Sequence, residues 1–203
     1  MQYNILSENN TSTVVAHYER PAMVADDGYQ TEADLERSLI EQLQRQGYEY
    51  AQIHNEDELI ANLRVKLEEL NNYHFTDNEW SSFFKTEIAS EGKGIIDKTR
   101  TIQTDFVKTL KCDNGEEKNI YLIKKDDVHA NRTQVINQYE VWNGKRPNRY
   151  DVSILVNGLP LVHIELKKRG VSIKEAFNQI NRYGRESFWA GNGLFEYVQI
   201  FVV

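Results

Sequence analysis

The segment RYDVSILVNGLPLVHIELKKRG, Arg149 to Gly170, constrains the fold more than any other part of the chain. Two β-branched, apolar runs flank Asn157-Gly158, a dipeptide suited to the tight turn of a β-hairpin. Such runs belong in the interior of a sheet, yet Asp151 opens the first, and Glu165 and Lys167 sit in the end of the second. Strand side chains alternate, so Leu161, His163, Glu165 and Lys167 share one face, and Val162, Ile164 and Leu166 the other. The face taken by Asp151 depends on the turn. A three-residue turn (Asn157 to Leu159) or a five-residue turn (Val156 to Pro160) sets it opposite Glu165, with Cβ atoms about 5 Å apart. A turn of two or four residues puts it on the wrong face unless a bulge intervenes.

The rest of the chain builds around this hairpin. TEADLERSLIEQLQRQG reads as a helix capped by Thr31, with Leu35, Leu39, Ile40 and Leu43 at helical spacing and Gly47 beyond its end. EDELIANLRVKLEELN supplies a second, and Thr76 with Glu79 a capping box for a third through Trp80, Phe83, Phe84 and Ile88. Residues 1–100 are therefore expected to be mostly helical and 101–203 rich in sheet, in one domain. Strands are expected at 105–110 and 118–123 around Asn114-Gly115, at 133–142, and in the final YVQIFVV. A capped helix, SIKEAFNQINRYGRESFW, separates the hairpin from that last strand, which a right-handed crossover places parallel to the Glu165 strand. The fold class is α/β, a mixed sheet flanked by helices. An apolar strand flush with the last residue is read as a sign that the chain is a fragment of a longer protein.

Composition narrows the functions. No apolar run approaches the roughly 18 residues needed to span a bilayer, and the polar start lacks signal-peptide order. Cys112 is alone, so no internal disulfide forms and a reducing cytoplasm is expected. The net charge of −7 speaks against a generic nucleic-acid coat, but residues 145–185 hold nine Lys and Arg against three carboxylates. A basic segment enclosing misplaced acids suits a polyanionic substrate.

Two carboxylates close together in a poorly hydrated sheet need a cation. Hard oxygen donors without a Cys or His cluster suit Mg²⁺ or Mn²⁺ rather than zinc. An ion held by Asp151 and Glu165, with Lys167 orienting or helping to deprotonate a water, fits metal-dependent phosphodiester hydrolysis. On the first helix Glu32 and Glu36 fall in the arc of Leu39, Ile40 and Leu43, and as inward acids they become accessory candidates needing a metal or basic partner.

These residues are where a family resemblance enters. The chain resembles the N-terminal endonuclease domain of the restriction (motor) subunit of type I restriction-modification enzymes, in the PD-(D/E)xK nuclease superfamily. NQYEVWNGKRPNRYDVSILVNGLPLVHIELKKRG, NQINRY and YVQIFVV carry the likeness most closely; TEADLERSLIEQLQRQGYEY and NLRVKLEELN carry it more weakly. The resemblance implies that Asp151 and Glu165 ligate Mg²⁺ and that Lys167 serves the nucleophilic water. It also implies a Gln-x-x-x-Tyr pair, Gln179 and Tyr183, on the following helix. Lys168, Arg169 and Arg182 are candidate DNA contacts. Where the superfamily places Pro before the first Asp, this chain has Tyr150. By the same resemblance the partners are double-stranded DNA and the modification (methyltransferase) and specificity subunits. ATP-driven translocation would belong to domains outside this chain, which has no G-x-x-x-x-G-K-[ST] loop. Two other readings keep the same fold: a non-catalytic module that docks DNA or subunits, and another nuclease of the superfamily, such as a repair enzyme.

Overall fold

The helical half starts where the sequence supplies caps. The computed structural model describes residues 4–9, 12–17, 31–142, 147–168, 178–179 and 193–203. Helix α1 (Glu32–Arg45) opens with a reciprocal box in which the Thr31 side chain accepts from the Asp34 amide and Asp34 accepts from Thr31. Helix α2 (Glu56–Asn71) is capped by Asn55 and closed by Asn72 in the left-handed conformation. Helix α3 (Asp77–Phe83) begins with the predicted Thr76–Glu79 box and runs into a π-helical turn over Phe84–Ile88. Helix α4 (Ile95–Gln103), by contrast, has no counterpart in the sequence reading. Nor does the antiparallel pair β1 (Asn4–Asn9) and β2 (Ser12–His17), which the polar start of the chain conceals. No helix among the described residues is long and apolar enough to cross a membrane.

Two sheets follow. Strands β4 (Val107–Lys111) and β5 (Glu117–Tyr121) make the hairpin expected at Asn114-Gly115. The main sheet has five strands in the order β3-β6-β7-β8-β9. They are β3 (Glu49–Tyr50), β6 (Thr133–Trp142), β7 (Pro147–Val156), β8 (Leu159–Ile164) and β9 (Ile200–Val202). β6, β7 and β8 run antiparallel in turn, while β3 on β6 and β9 on β8 are parallel, so the sheet is mixed. The last strand is parallel to its neighbour, as the crossover argument requires, but shorter than the apolar run: Leu194–Tyr197 forms a 3-10 turn instead. Most of the intervening predicted helix lies outside the described residues, of which 178–179 are helical.

Helices cover both faces. Leu39, Ile40 and Leu43 of α1 pack on Val135, Val152, Ile154, Val162 and Ile164. On the other face Leu59, Leu63 and Leu67 of α2 are completely buried with Ile136, Leu155 and Leu159, alongside Phe75, Trp80 and Phe83. Each leucine buried in this way contributes about 1.5–3 kcal/mol relative to exposure. The central hairpin is thus apolar on both sides, and its charged end stands out against that background.

Candidate active site

The β7–β8 turn settles the face of Asp151. Asn157 and Gly158 form a two-residue turn with φ of 51° and 84°, both left-handed. Val156 pairs with Leu159 and Leu155 with Pro160, but Ile154 pairs with Val162, so Leu161 is an extra residue. This bulge restores the register that the short turn would have lost. Ser153 then faces His163 and Val152 faces Ile164, which continues to Asp151 beside Glu165. The turn is anchored by the buried Asn157 side chain, which donates to the Leu122 carbonyl (3.0 Å) and Asn131 Oδ1 (2.8 Å) and accepts from the Arg132 amide (2.8 Å).

Strand β8 ends because the site takes over its hydrogen bonds. The Glu165 amide still donates to the Val202 carbonyl (2.9 Å), but the next amide, Leu166, donates to Asp151 Oδ2 (2.8 Å). Lys167 Nζ donates to Glu165 Oε1 (2.8 Å) and to the Leu166 carbonyl (3.1 Å). Asp151, Glu165 and Lys167 therefore converge. Glu165 is wholly buried, whereas Asp151 and Lys167 are half-buried, so the cluster opens on one side.

Each charge alters its neighbours. Burial, then the adjacent Glu165 charge, pushes the Asp151 carboxyl up to about 6, against the restraint of the Leu166 amide and Lys167. Burial alone would also raise Glu165, but contacts from His163 and the Lys167 ammonium outweigh it and hold that carboxyl below its ordinary range. Lys167 is raised: burial opposes its charge, and Glu165, Asp151 and Glu32 more than compensate. It remains an ammonium near neutrality.

Behind Glu165 stands His163, fully buried, with Nε2 3.5 Å from Glu165 Oε2 and Nδ1 3.3 Å from Ser153 Oγ. Tyr150 meets the imidazole edge-on at 5.3 Å. The alternation of side chains had placed His163 on this face without a role; its contact with Glu165 follows from the one-residue gap between them.

The accessory glutamates separate. Glu32 is exposed and lies over the end of β8, with Oε1 3.4 Å from the Lys168 amide. Glu36 is half-buried and accepts from two amide side chains, Asn137 Nδ2 (2.6 Å) and Gln138 Nε2, rather than from a metal or a basic group. Gln179 is half-buried in its helical stretch and Lys168 is exposed. Tyr183, Arg169 and Arg182 lie outside the described residues.

The donor set fits a small divalent ion. Oε2 of Glu165 is buried beside a second carboxylate, and its nearest donor among the described residues is His163 Nε2, at the long distance of 3.5 Å. Among the described residues no group of three or more His, Cys, Asp or Glu is arranged to hold a metal ion by itself. Two carboxylates are what Mg²⁺ takes from a protein when waters and substrate complete its shell, whereas a structural zinc site would need more.

A mixed sheet flanked by helices is the architecture of an α/β nuclease-like fold. Residues 29–203 match the family described as Type I restriction enzyme R protein N terminus, and the chain belongs to that family. It is 46% identical over 199 residues to the Type I restriction enzyme EcoprrI endonuclease subunit of Escherichia coli, covering 98% of this chain and 63% of that one. With the Type I restriction enzyme SsaAORF53P endonuclease subunit of Staphylococcus saprophyticus it shares 41% identity over 182 residues, 86% of this chain and 18% of the relative. The Type I restriction enzyme HindI endonuclease subunit of Haemophilus influenzae is more distant, 27% identical over 178 residues. The chain spans less than two thirds of the first relative and less than a fifth of the second.

Proposed function

We propose that this chain is a single Mg²⁺-dependent endonuclease domain of a type I restriction enzyme, hydrolysing phosphodiester bonds of double-stranded DNA in the cytoplasm. The observation that supports it most is the meeting of Asp151, Glu165 and Lys167 at the end of an otherwise apolar hairpin, with Glu165 wholly buried between Lys167 and His163. Asp151 and Glu165 hold the ion, and Mn²⁺ would substitute for Mg²⁺ in the same oxygen site. When bound, the ion supplies Lewis-acid chemistry, lowering the pKa of a coordinated water and neutralising charge on the phosphate. Lys167 orients the water and the scissile phosphate as a charged donor; its raised pKa makes it a poor base. Glu32 adds negative potential at the rim, and Lys168, with Arg169 and Arg182, meets the DNA backbone. Gln179 and Tyr183, the Gln-x-x-x-Tyr pair that the family resemblance implies, are accessory to the reaction. ATP-driven translocation resides in domains outside this chain, and the modification and specificity subunits complete the assembly.

The test is substitution in the assembled complex. Asp151→Ala, Glu165→Ala and Lys167→Ala should each lower DNA cleavage at least about 100-fold while leaving ATP hydrolysis and DNA binding within about twofold. Parallel loss of cleavage, binding and ATPase activity would instead mark the chain as a docking module.

A further inference from the structure

Three non-glycine residues among those described have left-handed φ: Asn72, Asn157 and Gln138. Asn72 closes a helix and Asn157 makes a tight turn, where that conformation is usual. Gln138, at φ 53°, sits inside strand β6 and ends no element. Its place is telling. Asn137 pairs with Val152 and Tyr139 with Tyr150, so Gln138 stands opposite Asp151.

In a regular strand adjacent side chains point to opposite faces. Here Asn137 and Gln138 both reach the same carboxylate: Asn137 Nδ2 donates to Glu36 Oε1 (2.6 Å) and Gln138 Nε2 to Glu36 Oε2. Asn137 is fixed a second time, since its Oδ1 accepts from Tyr50 Oη at 2.8 Å. One oxygen of Glu36 is thus devoted to each amide, and α1, β3 and β6 meet in a single knot. The strand resumes at Tyr139, whose ring stacks on Tyr150 at 6.0 Å, directly before Asp151.

We infer that Glu36 is a positioning residue: its carboxylate clamps Gln138 in the left-handed conformation and thereby sets the backbone against which Asp151 is placed beside Glu165. The inference rests on the proposed metal site only for its consequence, which is the geometry of the ion's ligands. Glu36 acts through Asp151 and touches neither ion nor substrate. Residues that orient metal ligands typically change metal affinity by about 10–100-fold when removed.

Glycine adopts the left-handed conformation without a clamp, and this gives the test. In the 203-residue chain, Mn²⁺ affinity is measured by calorimetry for wild type, Glu36→Ala and Glu36→Ala/Gln138→Gly. Glu36→Ala should weaken Mn²⁺ at least about tenfold, and the added glycine should restore it to within about threefold of wild type. Unchanged affinity in Glu36→Ala overturns the clamp; so does a loss that glycine fails to repair, which would make Glu36 itself a ligand. Should Glu36→Ala not fold, Glu36→Gln, which keeps one acceptor oxygen, takes its place in both variants. A crystal structure of the Glu36 variant judges the clamp apart from the metal: residue 138 should leave the left-handed region, and its staying there refutes the inference. A wild-type chain that binds no Mn²⁺ counts against the site reading, and residue 138 still decides the clamp.

Discussion

Asp151 is held in a state it would not choose. Its carboxyl ionises near pH 6 rather than near the ordinary 3.8, because it is buried beside Glu165. A folded-state pKa raised in this way makes ionisation oppose folding. The penalty is absent below about pH 4, grows as pH rises towards 6, and is fully present above it. In the absence of divalent ions, Asp151→Asn should therefore stabilise the chain at pH 7 by about 1–2 kcal/mol, after allowance for the site's partial exposure to solvent. The gain should fade by pH 4, and thermal melts in chelator at the two pH values read it directly. Equal or lower stability of the variant at pH 7 would show that the carboxylate is not under this strain. At the same scale, the sequence shows the acids and the lysine but not their supports. Leu166 enters through its main-chain amide, and Gln138 through a backbone angle, which side-chain identity does not encode. The adjacent amides Asn137 and Gln138 in a strand that should alternate were the available signal.

The elements that escaped the sequence are those held by tertiary packing rather than by local preference. Helix α4 contains Ile95, Ile96, Thr99, Thr101 and Ile102, β-branched residues with weak helix propensity, and its N-cap, Gly94, makes no side-chain cap. Its Ile102 is buried in the core formed with α2 and α3. Strand β3 has two residues, too few to show a period. Helices α1 and α2, with caps and long apolar stripes, were legible throughout. The hairpin was legible in part: Asn157-Gly158 announces the turn, while the bulge at Leu161 does not follow from periodicity. Pro160, which has no N–H to offer the ladder, was its only marker. Gly158 is also required from outside the hairpin, because a Cβ there would lie 2.6 Å from the Leu63 Cα atom of α2. Gly158→Ala should destabilise the chain by about 2–3 kcal/mol, combining an unfavourable φ with a backbone clash. Chemical denaturation measures it; a loss below about 0.5 kcal/mol would mean that the hairpin does not seat against α2 this closely.

For the molecule as a whole, the sheet is sealed by α1 on one face and by α2, α3 and α4 on the other. Among the described residues, Asp151 and Lys167 are half-buried where they gather with Glu165 at the end of the hairpin, and Glu32 of α1 lies nearby over the Lys168 amide. The basic segment that drew attention to a polyanionic substrate is described only at Arg149, Lys167 and Lys168 between residues 145 and 185. Asp151 and Glu165, the proposed ligands of the divalent ion, both lie among the described residues. Diffraction at the manganese edge from crystals of the chain grown with Mn²⁺ addresses them most directly. The account predicts one strong anomalous peak within about 2.5 Å of carboxylate oxygens of both Asp151 and Glu165, lost in Asp151→Ala. Manganese bound elsewhere, or a peak that survives the loss of Asp151, would contradict it.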